Sequence, residues 1–201
     1  MTIQFSYISK MNLFLIGLNA PEAVADLCDK HVVKMILETA QILYSVWHVR
    51  YGLPDDPTLE ALPAYRKTHV NHPTCKWARD SVYHYEWTCM YGLVLCKEYT
   101  HRYGKIHKTQ AHIERLYKWG YPPKVLEEPP IKKKSKVWIQ ATTGIPGHFD
   151  YFPLCMGEDS YVSDENGYNA VLSYQKYYQT KQDKFKMVWT NSDVPKWFTL
   201  N

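Results

Sequence analysis

The feature that most constrains the fold is the mostly apolar run from Asp29 to Leu43. Wound as an α-helix at about 100° per residue, it places four polar side chains on one narrow stripe, because spacings of three, four and seven residues return to the same face. The four are His31, Lys34, Glu38 and Gln41. Apolar residues cover the remaining circumference, so the run predicts a helix that is buried on most sides and holds its polar groups in a mostly dry setting.

Burial of these polar groups destabilises a protein unless the charges are paired, and a purely structural helix could carry leucine at the same places. Titratable groups in unusual surroundings gather at functional sites. We therefore favour a site here, with Glu38, His31 and Lys34 as candidate catalytic residues. The alternative is that the groups satisfy one another inside a core, as buried histidines and His–Glu pairs often do.

The length of 201 residues is enough for one well-buried domain, and no linker divides the chain. We expect a single domain over residues 1–201, with a leader at 1–10 and a largely irregular insertion at 120–162. Five cysteines without a C-x-x-C pair predict reduced thiols in a cytoplasm, rather than a disulfide scaffold or a cysteine-based zinc site. Apolar runs are too short to span a bilayer, so no membrane partner is expected.

The charge and the aromatic content are compatible with a nucleic-acid partner. The net charge is +4 with nine additional histidines, and aromatic residues make up 15% of the chain. A mildly basic chain can bind a polyanion, and aromatic faces stack on exposed bases. Tyrosines that pack helices with one wet end explain the aromatic excess equally well.

The helical pattern predicts a mainly α fold, a compact single-domain helical bundle with long irregular loops. Residues 137–162 are expected to hold little regular structure, because glycine and proline recur there. The predicted helices are a short one from Pro21 to about Asp26, the polar-striped helix to about Arg50, a turn at 59–61, a long helix over 74–103 with a break near Gly92, one over 109–119 and a last one over about 165–181.

Two polar segments are candidates for phosphate binding. In the first, Asn71 or His72 followed by Pro73 fits a helix N-terminus, whose free N–H groups form an anion site. In the second, cations and tyrosines surround a turn at Gly104. Ordinary helix caps, with cations that complement the helix dipole, explain both segments as well. The candidate substrate-binding residues are Arg66, Lys67, His69, Asn71 and His72 in the first segment and Arg102, Tyr103, Lys105 and His107 in the second.

The motifs of several enzyme classes are missing from the sequence. It contains no P-loop, dinucleotide fingerprint, G-x-S-x-G elbow or H-E-x-x-H motif, and no dense carboxylate cluster. His31, Glu38 and His72 could bind a metal, but nothing in their spacing requires one. We therefore expect no metal and no cofactor.

Four motifs resemble a family of phage proteins, and this resemblance extends over most of residues 11–198. It does not itself supply a reaction. The motifs are C-D-K-H-V-V-K-M-I-L-E-T-A-Q at 28–41, K-T-H-x-N-H-P at 67–73, Y-R-Y-G-K-x-H at 99–107 with His101 inserted, and W-T…P-x-W-F at 189–198.

The chain is more remotely similar to the small all-helical pyrimidine-dimer DNA glycosylases of the endonuclease V type. Their first helix carries D-x-H followed seven residues after the His by a catalytic Glu, and Asp29, His31 and Glu38 reproduce that spacing. In that family the amine of the processed N-terminus attacks the sugar C1′ and forms a Schiff base, while the Glu handles protons and charge. The resemblance implies a compact helical fold with Glu38 as the key carboxylate and His31 beside it.

Two features depart from that family. Leu37 and Gln41 stand where its arginines would lie, so Lys34 is the only cation on the stripe. Thr2, which methionine removal would expose, lies far upstream of the helix, and Met11 is an alternative start.

These observations lead to three functional hypotheses. The first is a phage enzyme in the host cytoplasm that acts on a pyrimidine nucleotide in DNA, as a duplex or a flipped nucleotide. It would be either glycosylase/AP-lyase-like or a base-hypermodifying transferase. The second is a non-catalytic DNA-binding or host-interaction protein on the same scaffold, which uses the lysine-rich run at 132–136. The third is an enzyme for free pyrimidine nucleotides.

Overall fold

Helices dominate the part of the chain that the structure, a computed structural model, describes: residues 12–126, 139–143 and 151–200. The strands of this part form two short antiparallel pairs, β1 with β2 and β3 with β4. The prediction of a mainly α fold is confirmed. The elements are α1 (Ala20–Ala25), α2 (Asp29–Arg50), α3 (Thr58–Ala61), α4 (Pro73–Asp80), α5 (Val82–Tyr103), α6 (Gln110–Trp119), β1 (Gln140–Thr142), β2 (Tyr151–Pro153), β3 (Ser163–Asp164), β4 (Gly167–Tyr168) and α7 (Ala170–Gln179).

Helix α2 packs against α4, α5 and α6, and it carries the polar stripe. Most of its apolar side chains are fully buried, which agrees with the predicted burial. One strip remains open to solvent, however, and we call it the open strip: Lys30, Val33, Lys34 and Leu37. These residues recur at helical spacing, so α2 presents a continuous surface beside the stripe.

The helix pair α4 and α5 corrects the prediction of one long helix with a break near Gly92. The break falls at Ser81, whose extended backbone ends α4 and whose side chain accepts a hydrogen bond from the His84 N–H to cap α5. Gly92 lies inside α5, where an added Cβ would lie 3.0 Å from both Thr39 and Ile113. The glycine thus allows α5 to approach α2 and α6 closely.

Helix α7 is shorter than the predicted last helix over 165–181. The strands β3 and β4 occupy the residues just before it, and Gly167, the first residue of β4, has a φ of +107°. Asn169 then caps α7 by accepting a hydrogen bond from the Leu172 N–H. Strands β1 and β2 likewise fall within a segment that was expected to be irregular.

One hydrophobic cluster joins the first described residues to the C-terminal tail, from Leu13 and Ile16 to Trp189 and Phe198. The leader at 1–10, Met11 and the lysine-rich run at 132–136 lie outside the described residues. Across the described ranges, no helix has the length and apolar character needed to cross a membrane.

Candidate active site

Glu38 is the centre of the candidate site. Its side chain is buried, and its two oxygens have different partners: Oε1 lies 2.8 Å from Lys34 Nζ, and Oε2 accepts a 3.2 Å hydrogen bond from the Asn12 backbone N–H. Burial raises the pKa of the carboxyl, while the Lys34 ammonium, the Asn12 N–H and His69 act in the opposite direction. The group therefore takes up a proton at a higher pH than an exposed glutamate does, which suits it to proton transfer.

Asn12 is held against Glu38 by its own side chain. Its Nδ2 donates a 3.3 Å hydrogen bond to the Cys155 carbonyl, and the Tyr174 hydroxyl contacts its Oδ1 at 3.1 Å. Sequence reasoning missed this residue because its contacts reach 26 residues to Glu38 and 162 residues to Tyr174, so no local pattern signals them. The N-terminal segment is thus fixed at the carboxylate from two directions.

Lys34 lies at the edge of the site, which differs from the dry setting expected for all four polar groups. Its side chain is 53% exposed, whereas that of Glu38, one helical turn away, is 8% exposed. The ammonium therefore lies between a buried carboxylate and solvent. In this position it favours the ionised carboxylate and can also contact an anionic ligand.

His31 lies two helical turns from Glu38, about 10.5 Å along the axis of α2. It is buried: the Tyr178 hydroxyl accepts a 2.9 Å hydrogen bond from the Cys28 N–H and shares a 2.7 Å hydrogen bond with His31 Nδ1. Burial, with the charges of Lys181, Lys34 and Lys30, lowers the pKa of the imidazole to about 3. A neutral ring bonded to α7 fits the structural alternative for His31 better than acid–base work at Glu38.

The segment with His69 and His72 lies on the Glu38 side of α2. The Ser45 hydroxyl of α2 donates to the Thr68 carbonyl over 2.9 Å and accepts from the Thr68 N–H over 3.1 Å, which pins the segment to the helix. His69 is exposed, with a φ of +48°, and its charge favours ionisation of Glu38. This histidine is therefore brought to the candidate site.

His72 caps α4, as the sequence predicted. Its Nδ1 accepts a hydrogen bond from the Thr74 N–H over 3.3 Å, and Pro73 follows at the first helical position. Burial, together with His69, lowers the pKa of His72 to about 4. The side chain that was expected to contact phosphate is thus buried and neutral at pH 7, whereas Arg66 and Lys67 nearby are exposed and Asn71 is half-buried.

Arg102 corrects the expectation of a surface cation that binds phosphate. Its side chain is fully buried, and its guanidinium donates to Glu98 Oε1 (2.7 Å), to Asp29 Oδ1 (3.0 Å) and to the carbonyls of Leu27 (2.7 Å) and Ala25 (3.1 Å). All three guanidinium nitrogens therefore donate to protein acceptors. Arg102 fastens α5 to the start of α2, and we leave it out of the proposed DNA contact.

The rest of the second predicted segment also lies apart from Glu38. The ring of Tyr103 lies 4.8 Å from that of Tyr99, and His107 Nδ1 accepts a 3.2 Å hydrogen bond from the Thr109 N–H. Lys105 is exposed. None of the contacts described for these residues reaches the carboxylate, so only the first predicted segment, near His69, is brought to the site.

Metal or thiol chemistry finds no support in the described ranges. No group of three or more His, Cys, Asp or Glu there could hold a metal ion. All five cysteines are buried and unpaired with one another. Burial raises the pKa of Cys155 to about 11 and that of Cys75 to about 12, so these thiols stay protonated and unreactive at neutral pH.

The fold and the site together define a small, mainly α protein built around a buried carboxylate that meets a backbone N–H and a lysine. The family model for pyrimidine dimer DNA glycosylase matches residues 11–111, so the chain belongs to the pyrimidine dimer DNA glycosylase family. Comparisons with curated proteins and with solved structures gave no match. The matched region includes Asn12, Lys34, Glu38 and His69, whereas α7 lies outside it.

Proposed function

We propose that this protein is a DNA glycosylase that acts on pyrimidine dimers and then cleaves the strand at the resulting abasic site. Glu38 is its proposed catalytic carboxylate. The observation that carries the proposal is the buried Glu38 side chain with Asn12 N on one oxygen and Lys34 on the other. The family match supports pyrimidine-containing DNA as the substrate class. Duplex DNA with a flipped nucleotide is the proposed partner.

The nucleophile in this proposal is an α-amine at the position of Asn12 N. A backbone amide there is a poor nucleophile because its lone pair is delocalised into the carbonyl. A chain whose first residue is Met11 or Asn12 carries a free amine at, or one residue from, the Glu38 carboxylate. The active form is therefore proposed to begin at one of these residues, through internal initiation or cleavage.

The reaction then proceeds in two balanced steps. The amine lone pair forms a bond to C1′ while the glycosidic bond breaks. The base leaves with the electron pair of the glycosidic bond and takes up a proton. The nitrogen loses a proton to Glu38; its lone pair then forms the C1′=N bond of the Schiff base while the C1′–O4′ bond breaks and O4′ takes the proton back from Glu38, which opens the sugar ring. Loss of a C2′ proton then expels the 3′ phosphate and cleaves the strand. The Lys34 ammonium favours the ionised form of Glu38, which accepts this proton.

The surface around Glu38 suits a DNA backbone. Lys30 and Lys34 extend from the open strip, and Arg66 and Lys67 extend from the segment that is pinned to α2 beside His69. Cations on both sides of a site hold phosphates and fix register without reading sequence. Leu37 of the open strip is exposed and offers an apolar contact for a displaced base.

The central test is Glu38→Gln, assayed on an oligonucleotide that carries a pyrimidine dimer. Turnover is expected to fall by at least about 10²-fold, while DNA affinity stays within a few fold, because only the proton-transfer group is removed. The matched control is Glu86→Gln, the same change at an exposed position of α5. Equal turnover of the two folded variants would contradict the proposal.

The nucleophile is tested by borohydride trapping on abasic DNA. A chain that begins at Asn12 is expected to be trapped, with the adduct on its N-terminal peptide, and the full chain is expected to be trapped only after processing, as judged by its intact mass. Trapping of unprocessed full chain at the same rate would refute the N-terminal assignment. Base modification without trapping would favour the transferase hypothesis, and DNA binding without either reaction would favour the non-catalytic one.

A further inference from the structure

Two segments contact α2 on either side of Gln41. Asn12 donates its backbone N–H to Glu38, three residues before Gln41. Thr68 forms two hydrogen bonds with the Ser45 hydroxyl, four residues after it. Glu38, Gln41 and Ser45 share one stripe, because spacings of three and four residues return to the same face of a helix. We call the stretch of this stripe between the two segments the slot, and Gln41 lies in its middle.

The slot is long enough to hold one flat ring. Seven residues separate Glu38 from Ser45, which corresponds to about 10.5 Å along the axis of α2. A ring in van der Waals contact on both faces needs about 7–8 Å between the atoms that enclose it. Glu38 and Ser45 are buried, whereas Gln41 between them is half-buried and Leu37, one turn earlier, is exposed. The surface of α2 is therefore closed at both ends of the slot and accessible in between.

The amide of Gln41 has unused hydrogen-bonding capacity. Within the part of the chain that the structure describes, this side chain forms no hydrogen bond. By contrast, Gln110 donates to Glu114 over 2.8 Å and Gln175 donates to the Ile16 carbonyl over 2.9 Å. Helical side chains point toward the N-terminus of their helix, so the Gln41 amide points along the slot toward Glu38. Its two donors and its acceptor are available to a ligand there.

His69 lies at the far end of the slot, in a backbone conformation that is uncommon outside glycine. Its φ is +48°. Hydrogen bonds on both sides hold it: Thr68 is bonded to Ser45, and the Val70 carbonyl accepts from Arg79 Nη1 over 2.5 Å. A strained residue persists only where its surroundings fix it in this way, and such residues gather at ligand sites. This end of the slot is therefore held firmly in place.

The chemistry of the slot matches the edge of a thymine-type pyrimidine. That edge carries a ring N–H donor at N3 beside a carbonyl acceptor at C4, and dimerisation through C5 and C6 leaves both intact. An amide presents an acceptor beside a donor in the complementary order. A base still joined to a C1′ carbon at Asn12 N extends away from that carbon by the width of one ring. Gln41 is one helical turn from Glu38, which puts its amide on the edge of that ring opposite the sugar.

We propose that the reacting pyrimidine binds in the slot, where Gln41 accepts a hydrogen bond from its N3–H and donates one to the neighbouring carbonyl. Gln41 is then the specificity-determining residue for the base, while Glu38 acts at the sugar. This inference rests on the proposed function and names the part of the substrate that α2 recognises. Enzymes that act on an extruded base recognise it through this same kind of edge contact.

The test combines a protein change with a substrate change. Affinity of the full chain is measured for two duplexes, one with an ordinary thymine dimer and one whose dimer carries a methyl group on each N3. Methylation removes the donor that Gln41 accepts from, so wild-type affinity is expected to fall about 10-fold. Gln41→Met, which keeps the side-chain length without the amide, is expected to bind the ordinary dimer about 10- to 100-fold less tightly than wild type. For this variant N3 methylation should cost less than about 2-fold, because the contact is already lost.

The matched control is Gln110→Met, the same change at a half-buried position of α6. It should discriminate between the two duplexes as the wild type does. Thermal melting establishes that each variant is folded. A purely structural role of Gln41 would change affinity for both duplexes by the same factor and leave the discrimination intact.

The outcomes separate this inference from the proposed function. If wild type cleaves dimer-containing DNA, but N3 methylation costs wild type and Gln41→Met the same factor in affinity, the base contact is refuted and the proposed function stands. If methylation weakens binding by wild type and not by Gln41→Met, yet no form of the protein cleaves DNA, the base contact stands and the proposed function fails.

Discussion

At the scale of single residues, the same side-chain type serves opposite purposes in different surroundings. Arg66 is exposed beside the candidate site, whereas Arg102 is buried and joined to Asp29 and Glu98. Both belong to polar segments that look alike in sequence. Helical spacing singles out Glu38 because periodicity is a local property, but it does not distinguish an arginine that binds protein from one that can bind DNA.

Arg102→Met is predicted to lower the free energy of unfolding by about 3–5 kcal/mol, because it leaves two carboxylates and two carbonyls without their common donor. Urea denaturation at pH 7 measures the loss. The control is Lys105→Met at an exposed position of the same segment, for which a change within about 0.5 kcal/mol is expected. Wild-type stability with a reduced salt slope for DNA binding would instead return Arg102 to the DNA contact.

At the scale of helices and strands, the sequence correctly predicted those helix ends that are set by the residues at the end itself. Helix α2 runs to Arg50 as expected, and the step from His72 to Pro73 starts α4. The prediction failed at Gly92, because a glycine within a helical pattern can either end a helix or admit a neighbouring one. Only the positions of Thr39 and Ile113, which belong to other helices, show that Gly92 allows neighbouring helices to approach.

Gly92→Leu is predicted to destabilise the protein by about 1–3 kcal/mol, because the new side chain must displace Thr39 and Ile113, whose methyl groups lie 3.0 Å from an added Cβ. Chemical denaturation provides the measurement. Gly157→Ala serves as the control, since an added Cβ there meets nothing within 4 Å. If Gly92→Leu were as stable as wild type, α5 would not be held close to α2 by this contact.

At the scale of the whole molecule, buried histidines make the fold sensitive to acid. Burial lowers the pKa of His31 to about 3 and those of His72 and His112 to about 4, from 6.5. Below 6.5 the unfolded chain binds more protons at these sites than the folded chain does, so stability falls as the pH falls. Glu38 and Asp26, whose pKa values burial raises, act in the opposite direction.

His72→Asn is predicted to reduce this acid sensitivity and to change stability little at pH 7. Asparagine can still cap α4, but it does not titrate, so up to about 1.4 kcal/mol per pH unit of the acid slope is removed. Urea denaturation between pH 4.5 and pH 7 gives the slope for both proteins. A variant with the wild-type slope would show that His72 is not neutral in the fold.

The way in which distant parts of the chain pack around the site could not be predicted from the sequence. The stripe on α2 singled out Glu38, and the resemblance predicted the family, yet neither indicated that Tyr174 contacts Asn12. Such contacts depend on how separate elements pack, and 162 residues separate Tyr174 from Asn12. Local periodicity carries no information at that distance.

The contact between Asp29 and Thr190 bears on how the protein is made. Thr190 donates to both oxygens of Asp29, at 3.0 Å from its N–H and 2.6 Å from its hydroxyl, across 161 residues. On a ribosome that adds about 5–20 residues per second, the start of α2 waits roughly 8–30 s for this partner. The nascent chain therefore emerges with the start of its Glu38 helix lacking this partner until Thr190 has been added.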